Sequence, residues 1–216
     1  MIATMKRLAT MLAIFAILGV VALYLYTLPG LRRLPKAKER SLDGITTIDD
    51  AVAYLRNSGK TGWDLVAAAQ QLVNAKMVYS RRNGWDTPAR AFRRGMGYCQ
   101  QQAGALLIIL RKLGIEARPV QALRCQFPPK QIHEYWEPGL ISGHMWLVVT
   151  LDGVEKDVCP GRPENEPGKV HFTRLARRTN YGPLWQILGH IGSMIVNVQR
   201  DNAALKRQAA VGSQGG

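Results

Sequence analysis

The chain has few cysteines, few acidic residues and no internal repeat, and each shortage excludes a class of protein. Three cysteines in 216 residues are too few for a small disulfide-stapled protein, and none of them forms the C-x-x-C pair of a zinc site. Acidic residues number 15 against 29 lysines and arginines, which leaves a formal net charge of +14. The composition of 47% hydrophobic and 20% charged residues excludes a disordered or collagen-like chain. The length predicts one compact domain and one appendage.

The basic excess alone favours nucleic acid or an anionic membrane surface as a partner. Its clusters are not interleaved with exposed aromatic residues, as a groove for single-stranded nucleic acid requires. The clusters are Arg32–Arg40, Arg81–Arg82, Arg90–Arg94 and Arg174–Arg178. We therefore do not expect a nucleic-acid partner, and we assign the first cluster to anionic lipid. For Arg90–Arg94, attraction of acidic substrates competes with an ordinary solvated surface.

The first thirty residues predict a membrane segment. Leu8–Leu31 contains no charged residue, and twenty helical residues at about 1.5 Å each reach roughly 30 Å, the thickness of a hydrocarbon core. A cleaved signal peptide is the alternative, but this apolar run exceeds the ~7–15 residues of a signal core and no A-x-A-like site follows. We predict an uncleaved single-pass anchor. The basic flank after it favours a cytoplasmic domain, and the signal-like start favours an extracytoplasmic one. The sequence therefore leaves open on which side of the membrane the domain lies.

Four segments are predicted: an anchor at 1–31, a basic juxtamembrane linker at 32–45, a domain at 46–205 and a flexible tail at 206–216. Within the domain, helical spacing predicts helices after Thr47, from Trp63 to about Tyr79, from Thr87 to Phe92 and from Cys99 to Gly114, and again at 183–198. The hydrophobic period changes to two after the fourth helix. It predicts strands at 117–123, 144–151 and 154–159, the last two joined by an Asp-Gly hairpin. Helices followed by antiparallel strands indicate an α+β fold.

Cys99 stands at the start of the clearest predicted helix. A thiol there faces unpaired backbone N–H groups and a partial positive charge, which favour the thiolate. The same N–H groups stabilise an oxyanion formed when sulfur attacks a carbonyl carbon. The alternative is that Cys99 is only a small, buried hydrophobic residue. His144, at the start of a strand, favours the nucleophile, because an imidazole that reaches a helix-start thiol is a suitable base. The other histidines, His133, His171 and His190, are weaker candidates.

Asp157, on the strand after the hairpin, is the candidate third member that would orient the imidazole. A two-residue hairpin turn places Asp157 opposite Val148, on the same sheet face as His144. At ~3.3 Å per residue the two side chains are then about 13 Å apart along the strand, too far for a hydrogen bond. Either the hairpin is wider or bulged, or another group such as Glu164 or Asn165 orients the imidazole.

The two remaining cysteines have two interpretations. Cys125 follows the first strand and Cys159 ends the hairpin, so a disulfide between them is one, and it would favour an extracytoplasmic domain. Two buried free thiols are the other. Neither these cysteines nor His133 has the spacing of zinc ligands.

Three blocks in the same order resemble the core of the transglutaminase-like superfamily. Gly97–Leu107 resembles its G-x-C helix start, Leu113–Val120 its L-G-I-x-A-R-x-V helix end, and His144–Trp146 its H-x-W strand, with Asp157 as its final aspartate. The similarity covers roughly Asp86–Pro160. It implies a papain-like α+β fold with N-terminal helices packed on an antiparallel sheet, a catalytic triad of Cys99, His144 and Asp157, and no metal or organic cofactor.

The family's chemistry is acyl transfer from amides, that is, crosslinking, deamidation or peptide hydrolysis. The resemblance therefore implies a protein or peptide substrate and a thioester acyl-enzyme, with hydrolysis and transamidation both open. The alternative is a catalytically silent member that serves as a membrane-tethered binding or scaffold module, which the awkward register of Asp157 supports. The side-chain oxyanion donor that family members supply upstream of the cysteine is not placed; Trp85 and Gln100–Gln102 are candidates.

Overall fold

The computed structural model describes residues 2–32, 42, 44–80, 83–132, 135–137 and 139–192. Most of the predicted linker at 32–45, the predicted tail at 206–216, the Arg81–Arg82 pair and His133 lie outside the described residues. So does the predicted C-terminal helix beyond residue 192.

The first element is a long helix, α1 (Ile2–Arg32). Its segment Thr4–Leu25 is long and apolar enough to cross a membrane, and none of it is buried against the rest of the chain. A helix of this kind near the N-terminus is typical of a membrane span and also of a signal sequence. Toward its far end, Tyr24 meets Trp85 edge to face, with ring centroids 5.0 Å apart. The described part of the chain contains no second helix of this length and composition.

Helix α2 (Ile48–Arg56) begins at the predicted cap. The Thr47 hydroxyl accepts the N–H of Asp50 at 3.1 Å, and the Asp50 carboxylate accepts the N–H of Thr47 at 2.7 Å. This reciprocal pair is a capping box, which satisfies two backbone donors that the helix leaves unpaired. The predicted apolar stripe is buried: Ile48, Ala51, Val52 and Leu55.

Helix α3 (Gly62–Lys76) is shorter than the helical spacing predicts. The prediction carried it to Tyr79, but residues Val78–Tyr79 form strand β1. This strand pairs in parallel with β2 (Met96–Gly97). Pairing with a distant segment therefore overrides the local helical pattern after Lys76.

Two helices precede the sheet. Helix α4 (Pro88–Arg94) is capped by the Thr87 hydroxyl, which accepts the N–H of Arg90, and it ends at Gly95 in the left-handed conformation. Helix α5 (Cys99–Lys112) follows directly after β2. It packs against α2, α3 and α4 on one side and against the sheet on the other. Cys99 is therefore carried by the element at the centre of the fold.

The remaining strands are β3 (Glu116–Phe127), β4 (Lys130–Ile132), β5 (Tyr135–Glu137), β6 (Leu140–Leu151), β7 (Val154–Val158), β8 (Thr173–Arg174) and β9 (Thr179–Asn180). Strands β7, β6, β3 and β8 lie in that order in one sheet, and β9 also pairs with β3. All of these pairings are antiparallel. Helices packed on an antiparallel sheet confirm the predicted α+β fold.

The two faces of the sheet carry separate clusters of buried residues. The face toward α5 includes Met145, Leu147 and Val149 of β6. The opposite face includes Trp146 and Val148. His144 shares this second face, because alternate residues of a strand point to the same side. Residues 183–192, here called α6, are helical and mostly exposed at the edge of the domain.

Candidate active site

A cavity of about 240 Å³ lies where α5 begins. Its wall is formed by residues from α5, β3, β6 and α6. They include Cys99 and Gln100, Gln121 and Leu123, His144, and Trp185. Cys99 and His144 therefore border the same cavity, as the sequence motifs led us to expect. No arginine or lysine lines it among the described residues, so Arg90–Arg94 does not contribute a charge to this wall.

The helix start that carries Cys99 is held by its neighbours. Gln101 accepts the N–H of Tyr98 at 3.2 Å, and its amide donates to the carbonyls of Asn83 and Asp86 at 2.6 and 2.8 Å. A side chain at Gly97 would come within 2.9 Å of Gln101 Cβ. Glycine at this position of the G-x-C motif thus permits the close packing that fixes Cys99.

The three glutamines after Cys99 have different roles. Gln101 and Gln102 donate to backbone carbonyls, the latter to Met77 at 3.2 Å, and neither lines the cavity. Gln100 does line it, and its Oε1 accepts the hydroxyls of Tyr98 and Tyr181 at 2.5 and 2.9 Å.

Gln100 also connects α5 to α6. Its Nε2 donates to the Gln186 carbonyl at 3.3 Å. A side chain at Gly189 would come within 2.7 Å of Gln100 Oε1. The glycine that weakens the helical pattern of α6 is therefore what allows this helix to approach the cavity.

A β-bulge adjoins His144. The register of β3 against β6 shifts between Ala122 and Cys125, so that two residues of β3 lie opposite Gly143 alone. Bulges of this kind redirect neighbouring side chains and occur often beside active sites. The bulge thus sets the position of His144 at the edge of the cavity.

The His144 ring is 9% exposed and packs among other rings. Phe172 lies with its centroid 4.7 Å away, and Trp146 stacks almost parallel at 6.0 Å. Burial, and secondarily the nearby His171, lowers the pKa of His144 to about 3. The imidazole is therefore neutral at physiological pH.

Cys159 is the hydrogen-bond partner of His144. The imidazole Nε2 lies 3.3 Å from Cys159 Sγ. Burial raises the pKa of the Cys159 thiol to about 12, so it stays protonated beside the neutral ring. The other ring nitrogen, Nδ1, makes no hydrogen bond to any residue that the structure describes.

Asp157 lies elsewhere on the same face of the sheet. It pairs with Val148, as the two-residue hairpin turn predicts, and this register keeps it away from the imidazole. Its carboxylate accepts the indole N–H of Trp146 at 2.8 Å and a guanidinium N–H of Arg178 at 3.1 Å. Asp157 therefore makes no hydrogen bond to His144 in this structure.

The two alternative orienting groups also bind other partners. Glu164 pairs with Arg162 at 3.3 Å. Asn165 donates to the Cys159 carbonyl at 2.8 Å and contacts His171 Nδ1 at 2.9 Å. Asn165 thus supports the segment that carries Cys159 without reaching His144.

Cys125 and Cys159 are free, buried thiols in this structure. Of the two interpretations of these cysteines, the geometry therefore matches the free thiols. Within the described residues, no group of three or more histidine, cysteine or acidic side chains is arranged to hold a metal ion.

Sequence reasoning missed two residues of the site. Cys159 was considered only as a disulfide partner or a buried free thiol, although the predicted register places it diagonally across from His144. Gln121 was not singled out, because nothing in the spacing of β3 distinguishes it from a solvated strand residue. Trp85, a candidate oxyanion donor, contacts Tyr24 of α1 instead and does not line the cavity.

Comparisons with known proteins show what the chain is similar to. The family model described as Transglutaminase-like superfamily matches residues 50–153, just under half of the chain, and includes Cys99 and His144 but neither Asp157 nor Cys159. A solved structure described as the crystal structure of a TGase shares 18% sequence identity with a TM-score of 0.40, over 66% of this chain and 37% of its own. The chain thus spans little more than a third of that protein's length. No curated protein matches the chain. Residues 50–153 are therefore similar to a domain of the transglutaminase-like superfamily.

Proposed function

We propose that this protein is a cysteine-dependent enzyme that transfers or hydrolyses acyl groups at amide bonds, with Cys99 as the nucleophile and His144 as the base. The observation that carries the proposal is that a cysteine at a helix start and a histidine border one cavity. The sulfur lies at the start of α5, where the positive end of the helix dipole favours a negative charge. The superfamily supports a cysteine-based acyltransferase or peptidase in general terms.

In the proposed reaction, Cys99 Sγ attacks the carbonyl carbon of the amide while its proton passes to His144 Nδ1. The resulting imidazolium protonates the departing amine as the C–N bond breaks, which leaves a thioester on Cys99. Water or a second amine then attacks the thioester and gives a proton to His144. That proton returns to the Cys99 thiolate when the thioester breaks.

Because burial keeps His144 neutral, proton transfer accompanies the attack on the carbonyl. A preformed thiolate–imidazolium pair is not required. The ring nitrogen that makes no hydrogen bond to a described residue, Nδ1, is the one assigned to this transfer. Nε2 is held by Cys159 at 3.3 Å.

Asp157 keeps an indirect role in the proposal. Its carboxylate holds the indole of Trp146, and that indole stacks on the His144 ring. We therefore assign Asp157 as a residue that positions Trp146, and through it the imidazole. This role requires no contact between the carboxylate and His144.

We also propose that α1 anchors the domain to a membrane as a single pass. The apolar segment Thr4–Leu25, with none of it buried against the domain, supports this assignment. A protein or peptide substrate at a membrane surface is the partner that this arrangement suits.

The nucleophile is tested by replacing Cys99 with alanine. The full chain in detergent is treated with a thiol-directed acylating probe, and intact-mass analysis counts the bound groups. We expect Cys99→Ala to abolish labelling, and the matched control Cys125→Ala to retain it because Cys125 is fully buried. Undiminished labelling of Cys99→Ala would refute the assignment.

A second function is favoured by one observation, the thiol rather than a carboxylate beside His144 Nε2. A neutral thiol stabilises an imidazolium poorly, so the domain would then serve as a membrane-tethered binding or scaffold module. Turnover distinguishes the two. An enzyme releases acyl groups from Cys99 repeatedly, whereas a scaffold takes up at most one group and retains it.

A further inference from the structure

We propose that Gln121 is the side-chain donor that binds the carbonyl oxygen of the substrate amide, beside the backbone N–H groups at the start of α5. This inference rests on the proposed function and adds the group that would stabilise the oxyanion. Gln121 lines the same cavity as Cys99 and His144. It lies on β3, not upstream of the cysteine, where the sequence analysis sought such a donor.

The Gln121 side chain is buried and unpaired. It is 5% exposed, and its Nε2 has no hydrogen-bond acceptor among the described residues. An unpaired buried donor lowers stability, because it has lost its hydrogen bonds to water. Once the amide turns toward the cavity, this donor gains an acceptor when a carbonyl oxygen enters.

Three other buried amides have an unpaired atom, and they differ from Gln121. They are Gln70, Asn83 and Gln102, and in each the unpaired atom is the oxygen. Their nitrogens donate to the backbone carbonyls of Asn165, Met96 and Met77 respectively. These amides already brace the fold, and none lines the cavity. Gln121 is the member of this set whose donor is unpaired.

The backbone holds Gln121 firmly. Its residue pairs with Met145 of β6 on one side and with Thr179 of β9 on the other. Pairing at both edges fixes the position of the Gln121 backbone, and with it the region that the side chain can reach. Rotating the amide by 180° exchanges its nitrogen and oxygen without breaking any hydrogen bond to the described residues, so the donor end is free to face the ligand.

The lining of the cavity defines the class of substrate. Its described wall contains no arginine, lysine, aspartate or glutamate, and it includes Leu123, Trp185 and Leu188. The uncharged carboxamide of Gln121 and these apolar side chains together suit a substrate whose acyl group is uncharged. The ligand inferred for Gln121 is therefore the carbonyl of an uncharged amide flanked by apolar groups.

The test compares two reactions of Cys99 in the full chain in detergent. Acylation by a 4-nitrophenyl ester with an uncharged acyl group passes through an oxyanion. Modification by methyl methanethiosulfonate does not, because no carbonyl is attacked. For Gln121→Leu we expect acylation to fall by about 10²–10³-fold, the usual effect of losing one oxyanion donor, while the methanethiosulfonate rate stays within about twofold.

Stability gives an independent measurement on the same variant. Because Gln121→Leu removes an unpaired donor, we expect its unfolding midpoint in urea to equal or exceed that of the wild type. A merely structural glutamine would lower it. Gln121→Met, which keeps the length of the side chain and removes the amide donor, serves as the second variant and should show the same selective loss of acylation.

The outcomes separate the two proposals. Equal acylation of the wild type and of both variants would overturn the role of Gln121 while leaving Cys99 as the nucleophile. A wild-type chain that reacts with methanethiosulfonate but is never acylated would overturn the proposed function, and this inference with it. Selective loss of acylation in both variants supports Gln121 as the carbonyl-binding donor.

Discussion

Replacing Cys159 by aspartate should change the acid–base behaviour of His144. Cys159 Sγ lies 3.3 Å from the imidazole Nε2, so a carboxylate there would face the ring directly. The wild-type thiol is neutral because burial raises its pKa to about 12. The substitution Cys159→Asp therefore places a negative charge beside Nε2, where the wild-type side chain is neutral.

The size of the effect follows from the separation. Two unit charges 3.3 Å apart interact by about 5 kcal/mol at an effective dielectric constant of about 20. Burial of the new carboxylate opposes part of this attraction, and opposite charges at such distances commonly shift a pKa by about 1–3 units. We therefore expect the pKa of His144 to rise from about 3 to between about 4 and 6.

The assay is a pH titration of the His144 ring by NMR, with His144→Phe used to assign its resonance. The matched control is Cys159→Asn, which has nearly the shape of aspartate without the charge and should leave the pKa low. Because a carboxylate stabilises the imidazolium formed during attack, acylation of Cys99 should also be faster in Cys159→Asp than in Cys159→Asn, by about tenfold or more.

Equal His144 pKa values in the aspartate and asparagine variants would refute this reasoning. Such a result would mean that the side chain at position 159 does not face Nε2. A rise in the pKa without faster acylation would refute the second step alone, namely that His144 is the base for Cys99.

Two further predictions concern His144 and Asp157. Folding lowers the pKa of His144 from 6.5 to about 3, so the contribution of this residue to stability is fully present above pH 6.5 and is lost as the pH falls toward 3. Between pH 7 and 5, urea unfolding of the full chain in detergent should show that the free energy of unfolding falls by about 2 kcal/mol. The fall should be smaller by about that amount in His144→Phe. Asp157→Asn removes the charged acceptor of Arg178 and should destabilise the fold by about 1 kcal/mol. It should slow acylation of Cys99 by less than about tenfold, whereas loss of a true triad aspartate costs about 10⁴-fold, and a loss of that size would contradict its assignment to Trp146.

The helices were predictable where local chemistry decides them. The capping box at Thr47 and the stripe of α2 are encoded within ten residues, so the sequence alone predicts them. The end of α3 was not predictable in this way, because β1 forms only by pairing with β2 across α4. Short strands that form by pairing with distant segments, such as β8 and β9, cannot be predicted from the hydrophobic pattern for the same reason.

The sequence singled out some of the residues that line the cavity and not others. The motifs at a helix start and at a strand start contain Cys99 and His144, which border one cavity in the structure. Gln121 has the pattern of any polar residue in a strand. Its lack of a partner depends on how β9 and α6 pack beside it, and no local sequence signal contains that information.

The third position beside His144 shows how one turn decides a site. Asp152 and Gly153 both have positive φ angles, 50° and 75°, as the favoured two-residue hairpin turn requires. This turn pairs Leu151 with Val154 and Val148 with Asp157. On the face that carries His144, each ring of β6 then contacts the β7-side residue that lies diagonally across from it. Trp146 contacts Asp157, and His144 contacts Cys159.

Bringing Asp157 to His144 would require the hairpin to slip by one residue on each strand. Every side chain would keep its face, because the pairing shifts by two residues in all. The turn, however, would move to Leu151 and Asp152, and leucine would have to adopt a positive φ. Left-handed conformations cost ordinary residues about 1–2 kcal/mol, and the glycine suited to the turn would lie outside it. The Asp-Gly pair thus selects a thiol rather than a carboxylate as the neighbour of the imidazole, although the chemistry of the motif alone favours the carboxylate.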